Sequence, residues 1–308
     1  MKTKYLPAFT LSLLSMTAFG VLQAAEQSTI KRSDGTEIHF YLSDAEPPGD
    51  VLLVLIQGSD CNSVYRNDRI NNEFSLVLPG ADVLTVEKYG IDSGLEWSDD
   101  PERRDCPDAY IENDSPEQRV MDYTQVIGEL RKDREYKQTV LLGGSEGAVV
   151  ANHLTVELDY IDATVSINGG GRRFIDDVLH SIASQALSDE EYHESSKGFL
   201  GFYNHILNRE PFAMNVSGHG YRWWRSMFEI DQTALLSQID TPVLLVQAGM
   251  DKNVSVELAV EQAKILSGDK PNITFRVYEE LDHSFEKPDG TSGVEQVIED
   301  IKLWLSRL

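Results

Sequence analysis

Two kinds of apolar patterning alternate along the chain. Short apolar runs at residues 51–56 and 139–142 fit strands buried in a parallel sheet, and 81–86, 160–167, 242–247 and 272–279 read as further strands. Between them apolar positions recur every three or four residues, as at Val120, Tyr123, Ile127 and Leu130 and over 65–78, 254–266 and 294–305, and predict amphipathic helices. Such alternation builds a parallel sheet with right-handed crossovers and helices on both faces. Ahead of it, residues 29–32 and 37–42 flank Ser33-Asp34-Gly35 and read as a β-hairpin, the antiparallel edge of that sheet. Alternation stops between about 172 and 240. There, helical segments at 174–187 and 190–208 and an aromatic cluster at Tyr221, Trp223, Trp224 and Phe228 replace the strands. The expected fold class is α/β: a mostly parallel doubly wound sheet with an antiparallel N-terminal edge and a helical cap insertion.

One strand-to-helix junction carries chemistry. The run at 139–142 ends in Gly143-Gly144-Ser145-Glu146-Gly147 and continues as a helix with Ala148, Val149, Ala151 and Leu154 on its apolar face. This is the pattern of a nucleophile elbow, in which Gly143 and Gly147 permit a turn too tight for larger side chains and Ser145 is lifted clear of the sheet. The first free N–H of the helix, on Glu146, then faces the place where an oxyanion would form. Gln57-Gly58-Ser59 ends another central strand, so Ser59 is expected to supply a second N–H donor, the competing reading being a simple strand-ending turn. A serine hydroxyl needs a histidine to take its proton and a carboxylate to hold that histidine. Asp251 and His283 each follow a predicted strand, in the order nucleophile, acid, base, and would project from the same sheet edge. His219 is the rival base, and Asp231 and Asp282 are rival acids without the strand-end context. His153, on the elbow helix, reads as structural. Trp223 and Trp224 either line an acyl pocket or pack the cap on the core.

Composition adds compartment and partner. Lys2 and Lys4 precede an apolar run over 5–22, followed by Ala24 and Ala25, which reads as a signal peptide over residues 1–25 and an exported protein, periplasmic or secreted. Pro7, Thr10, Ser12, Ser15 and Thr17 argue against a retained membrane anchor. Cleavage removes two lysines and no acid, taking the formal charge from −24 to −26, which excludes a basic footprint for nucleic acid or anionic membrane. The two cysteines, Cys61 and Cys106, fall in predicted loops of an exported chain and are expected to pair. With no histidine near them, a metal site is not expected, and Cys61 lacks the setting of a nucleophile. Residues 87–115 read as a long irregular loop that this bridge would tie down beside the Ser59 turn.

Through GGSEG, AGMDKNV and LDHSF in that order, the chain resembles the α/β-hydrolase superfamily over essentially its whole mature length. It is most similar to the dienelactone-hydrolase and prolyl-oligopeptidase-like branches. The family's usual His-Gly at the oxyanion strand is Gln57-Gly58 here. The resemblance implies one α/β-hydrolase domain over 26–308, with the cap at about 172–240, and an exported serine hydrolase cleaving carboxylic esters through an acyl-enzyme on Ser145, Asp251 and His283. A small-molecule ester or short peptide is the expected substrate, with no cofactor, no metal, no nucleic acid and no membrane insertion after signal cleavage. A serine peptidase on the same triad and a non-catalytic hydrolase-fold binding protein are the alternatives.

Overall fold

The structure, a computed structural model, describes residues 25–100 and 103–308. The expected signal peptide lies outside the described residues, apart from Ala25. Eight strands form one sheet in the order β1-β2-β4-β3-β5-β6-β7-β8. They are β1 Glu26–Lys31, β2 Glu37–Ser43, β3 Val51–Ile56, β4 Asp82–Val86, β5 Gln138–Gly144, β6 Ala163–Ile167, β7 Val243–Ala248 and β8 Ile273–Tyr278. β2 runs antiparallel to both β1 and β4, and all other pairings are parallel.

The unbroken apolar runs are explained by burial on both sides of this sheet. Successive side chains point to opposite faces. Leu53 and Leu55 therefore join Val140, Leu142, Val165 and Ile167 beneath α9 (Val294–Leu305). Leu52, Val54 and Ile56 join Leu84, Val86 and Leu141 beneath α2 (Pro116–Asp133) and α3 (Glu146–Glu157). Ser115 caps α2 by accepting from Gln118 N at 3.1 Å, with Pro116 at its first position.

Two segments depart from expectation. Residues 65–78 do not form one helix but three short turns, Val64–Arg66, Arg69–Glu73 and Phe74–Val77. Asparagine chemistry explains the break: Asn67 Oδ1 accepts from Ile70 N, and Asn71 Nδ2 donates to the Val64 and Tyr65 carbonyls, so side chains take backbone partners a regular helix would use. Within the expected irregular loop, α1 (Asp108–Asn113) forms behind Pro107. Between β6 and β7 the chain passes through α4 (Phe174–Ala183), α5 (Asp189–Leu207), α6 (Tyr221–Glu229) and α7 (Gln232–Leu236). Of these, α6 packs against α1 and α2, and its Trp223 reaches Glu146 at the start of α3. α8 (Val256–Ser267) separates β7 from β8. Among the described residues no helix is long and apolar enough to cross a membrane.

Candidate active site

Ser145 stands between β5 and α3 with φ 56° and ψ −124°, a region L-residues rarely occupy. Close packing around it accounts for the glycines. A Cβ on Gly143 would overlap the Gly147 carbonyl, and one on Gly147 would overlap the Ile56 carbonyl of β3. The turn is held from the next strand, where Ile167 O accepts from Ser145 N at 2.8 Å. On the other side Gly58 passes so near that a methyl there would sit 3.4 Å from Ser145 Cβ.

Asp251 and His283 meet at the same sheet edge. Asp251 is buried, and its Oδ2 accepts from His283 Nδ1 at 2.7 Å, while Gln247 Nε2 lies 3.3 Å away. Its Oδ1 accepts from the backbone N–H groups of Asn253 and Val254 at 2.8 and 3.1 Å. A carboxylate can only accept, so His283 carries its proton on Nδ1 and leaves Nε2 free. The His283 loop is fixed in turn: Asp282 Oδ1 accepts from Ser284 N and Glu286 N, Phe285 is buried in the core, and Arg69 Nη1 donates to Ser284 O. Asn168, at φ 50° beyond β6, donates from Nδ2 to His283 O at 3.0 Å and accepts Ala248 N at 2.8 Å. It thereby ties the ends of β6 and β7 to the histidine loop. A cavity of about 250 Å³ brings Ser145, His283, Gly58 and Asn168 together, with Ile70 and Phe74 on its apolar wall.

No family model and no curated protein matches this sequence. Solved structures do match in shape. The Pyrococcus furiosus esterase Pf2001 superposes with a TM-score of 0.59 at 14% identity, covering 92% of this chain and 90% of that one. Est1E from Butyrivibrio proteoclasticus gives a TM-score of 0.59 at 15% identity over 92% and 98% of the two chains. The acylaminoacyl peptidase of Pyrococcus horikoshii gives 0.57 at 13% identity, over 92% of this chain but 41% of the peptidase. The chain has the α/β-hydrolase fold.

Within this hydrolase fold the rivals stand apart from Ser145. Asp231 caps α7 and pairs with Arg172 and Arg173. Asp282 is engaged by its own loop, and His153 is half-buried on α3. His219 is buried, stacked on Trp223 with ring centroids 3.7 Å apart, its Nδ1 3.2 Å from Tyr110 Oη. Burial first, then Lys88, holds the His219 imidazole down to about 4, against the pull of Glu146. It lines an adjoining cavity, not that of Ser145.

Trp223 and Trp224 also lie outside the Ser145 cavity. Both belong to the buried aromatic cluster of α4, α5 and α6, and Trp223 Nε1 donates to Glu146 Oε2 at 2.7 Å. Ser59 lines the adjoining cavity, its carbonyl accepting from Tyr110 Oη of α1 at 3.2 Å. Cys61 and Cys106 form a disulfide across 45 positions, with Cα atoms 5.9 Å apart. Gln57, where histidine is usual, folds its Nε2 onto Asp60 Oδ1 and Asn62 O and braces this bridged turn.

Sequence reading missed a buried charged cluster behind the elbow. Glu146 Oε1 pairs with Arg119 Nη1 at 2.7 Å, both essentially sealed from solvent, and Arg119 Nη2 donates to Gln57 O at 2.7 Å. Burial opposes the charge on each, yet Glu146 stays below and Arg119 above its ordinary range because each faces the other. Asp114 lies beside them, buried, and burial reinforced by Glu146 pushes it up to about 7. One guanidinium thus links the elbow to the Gln57–Ser59 turn. The only signal in the sequence was an arginine on the inward face of α2, just before Val120 and one turn ahead of Tyr123.

Proposed function

We propose that the protein is an exported serine hydrolase that cleaves carboxylic esters through an acyl-enzyme. The observation that carries this reading is the 2.7 Å Asp251–His283 hydrogen bond, made by a histidine that lines one cavity with a strained elbow serine. In the first step His283 Nε2 takes the Ser145 hydroxyl proton as Oγ attacks the ester carbonyl. The resulting oxyanion is met by the N–H groups of Glu146 and Ser59. Collapse breaks the ester C–O bond, and His283 returns the proton to the departing alcohol. Water, deprotonated by the same Nε2, then attacks the acyl-enzyme and releases the carboxylic acid, restoring Ser145. Asp251 stabilises the imidazolium formed in each half without itself taking a proton. The apolar wall of Ile70, Phe74, Leu142 and Phe285 suits the acyl group.

Export is supported by the disulfide together with the leader-like residues 1–25, and places the enzyme in the periplasm or outside the cell. The motif texture of AGMDKNV and LDHSF favours a dienelactone-hydrolase-like or prolyl-oligopeptidase-like branch. Shape similarity to an acylaminoacyl peptidase keeps amide cleavage as the second reading. The mature protein is tested on p-nitrophenyl esters and on aminoacyl arylamides, alongside Ser145→Ala and His283→Ala. Ester turnover lost in both variants supports the proposal, faster arylamide cleavage supports the peptidase, and ester turnover surviving Ser145→Ala refutes both.

A further inference from the structure

Outward from Ser145 the cavity changes character. Through Asp60, Asn67 and Arg69, which line both, it opens into a groove of about 870 Å³ whose walls are polar except for one residue, Trp97. Trp97 is 41% exposed, among the largest apolar surfaces the protein leaves to solvent. It is nevertheless anchored. Its Nε1 donates to Asp99 Oδ1 at 2.8 Å, and its loop is pinned where Ser98 N donates to Asn62 Oδ1 at 2.9 Å and Asn62 Nδ2 returns a bond to Ser98 O at 3.0 Å. Asn62 itself follows the disulfide-bonded Cys61. The result is a fixed flat aromatic face beside a reactive serine, at little ordering cost to a ligand that stacks on it.

Charges around that face decide what would stack. Four carboxylates, Asp60, Asp68, Asp99 and Glu286, line the groove together with two guanidinium groups, Arg66 and Arg69. An anionic ligand is repelled by the four carboxylates, and a cationic one still meets the two guanidinium groups. An uncharged ligand rich in hydroxyls satisfies both, because a hydroxyl donates to carboxylates and accepts from guanidinium. A ring carrying such hydroxyls at its rim and C–H groups on its face also matches the indole.

We propose that this groove holds the alcohol half of the substrate, and that this half is a sugar residue esterified at the hydroxyl presented to Ser145. The inference rests on the ester-hydrolase reading above. Atoms balance as for any ester: the acyl group passes to Ser145 Oγ, the sugar hydroxyl leaves with the proton from His283, and water releases the acid. The inner apolar wall takes the acyl group while the groove takes the sugar.

Two measurements on the mature protein test this. Acetate esters of p-nitrophenol, methanol, glucose and choline are compared by kcat/KM in the wild type and in Trp97→Ala. The glucose ester is expected to exceed the methyl and choline esters, and its advantage over the p-nitrophenyl ester to fall about tenfold in Trp97→Ala, mainly through KM. Separately, saturation-transfer NMR with methyl β-glucopyranoside on Ser145→Ala protein should show ring C–H contacts that vanish when Trp97→Ala is added. This binding readout needs no catalysis, so a wild type that hydrolyses no ester would refute the hydrolase reading while leaving the groove decided by NMR. A choline ester preferred over glucose, a uniform fall for all four esters with unchanged ratios, or glucoside contacts that survive Trp97→Ala would overturn the sugar site.

Discussion

Replacing Glu146 by leucine removes the carboxylate that neutralises Arg119 and accepts from Trp223 Nε1. Both partners of the ion pair are sealed from solvent, at 2% and 1% side-chain exposure, so solvent screening discounts little of the effect. Leaving one buried charge without its partner costs about 3–5 kcal/mol, against the roughly 5–15 kcal/mol that stabilises a typical domain. The variant should still fold, with Tm lowered by about 5–8 °C, from an unfolding entropy of about 0.6 kcal/mol/K for a chain of this length. Arg119→Met strands the carboxylate instead, with a loss of the same order. Removing both charges together should cost less than the sum of the two single changes, by about 2–3 kcal/mol. Urea unfolding followed by near-ultraviolet circular dichroism measures all four proteins. A Glu146→Leu cost below about 1 kcal/mol, as for an exposed pair, or a strictly additive cycle would refute the reasoning.

Three other outcomes follow from the same structure. Reduction of Cys61–Cys106 should lower stability by about 4 kcal/mol, the chain-entropy value for a loop of 45 residues, measured by urea unfolding with and without reductant. Asp177, on α4, is pushed up to about 7 by burial, against hydrogen bonds from Ser255 N and Gly171 N. Its folded value lies above its unfolded value of 3.8, so the folded state keeps a proton the unfolded state has released, and stability falls as pH rises from 4 to 7 by up to about 1.4 kcal/mol per pH unit. Asp177→Asn should remove that component, and an unchanged slope in pH-dependent unfolding would contradict it. A matched neutral and anionic ester pair should differ in salt response, with the anionic member gaining kcat/KM as ionic strength shortens the reach of the chain's −24 formal charge. Faster hydrolysis of the anionic member at low salt would show that the local field opposes the net charge.

The parts of the molecule visible in the sequence are those dictated by local pattern. Val51–Ile56 and Val243–Ala248 announce strands buried on both faces because both sheet faces are covered, and the glycines flanking Ser145 announce a turn that admits nothing larger. Asp251 and His283 were recognisable because each stands just beyond a strand on one edge, and their hydrogen bond follows from parallel register. Patterns decided by competition misled: the apolar spacing of 65–78 suggested a helix, but Asn67 and Asn71 diverted its backbone bonds. Contacts made across the fold left no local trace. Arg119 meets Glu146 and Gln57, Asn168 meets the His283 loop, and Tyr110 meets both Ser59 and His219. Trp223 shows the same limit. Its aromatic neighbourhood was legible, whereas its bond to Glu146, which turns it toward the back of the elbow, was not.

Covalent labelling of the mature protein by a fluorophosphonate, read by intact mass and peptide mapping, tests the role of Ser145 most directly. One adduct is predicted, on the peptide carrying Ser145, with none on Ser145→Ala and labelling markedly slowed in His283→Ala but not in His219→Ala. An adduct on another serine, labelling that survives Ser145→Ala, or a folded wild type that takes up no label would contradict it.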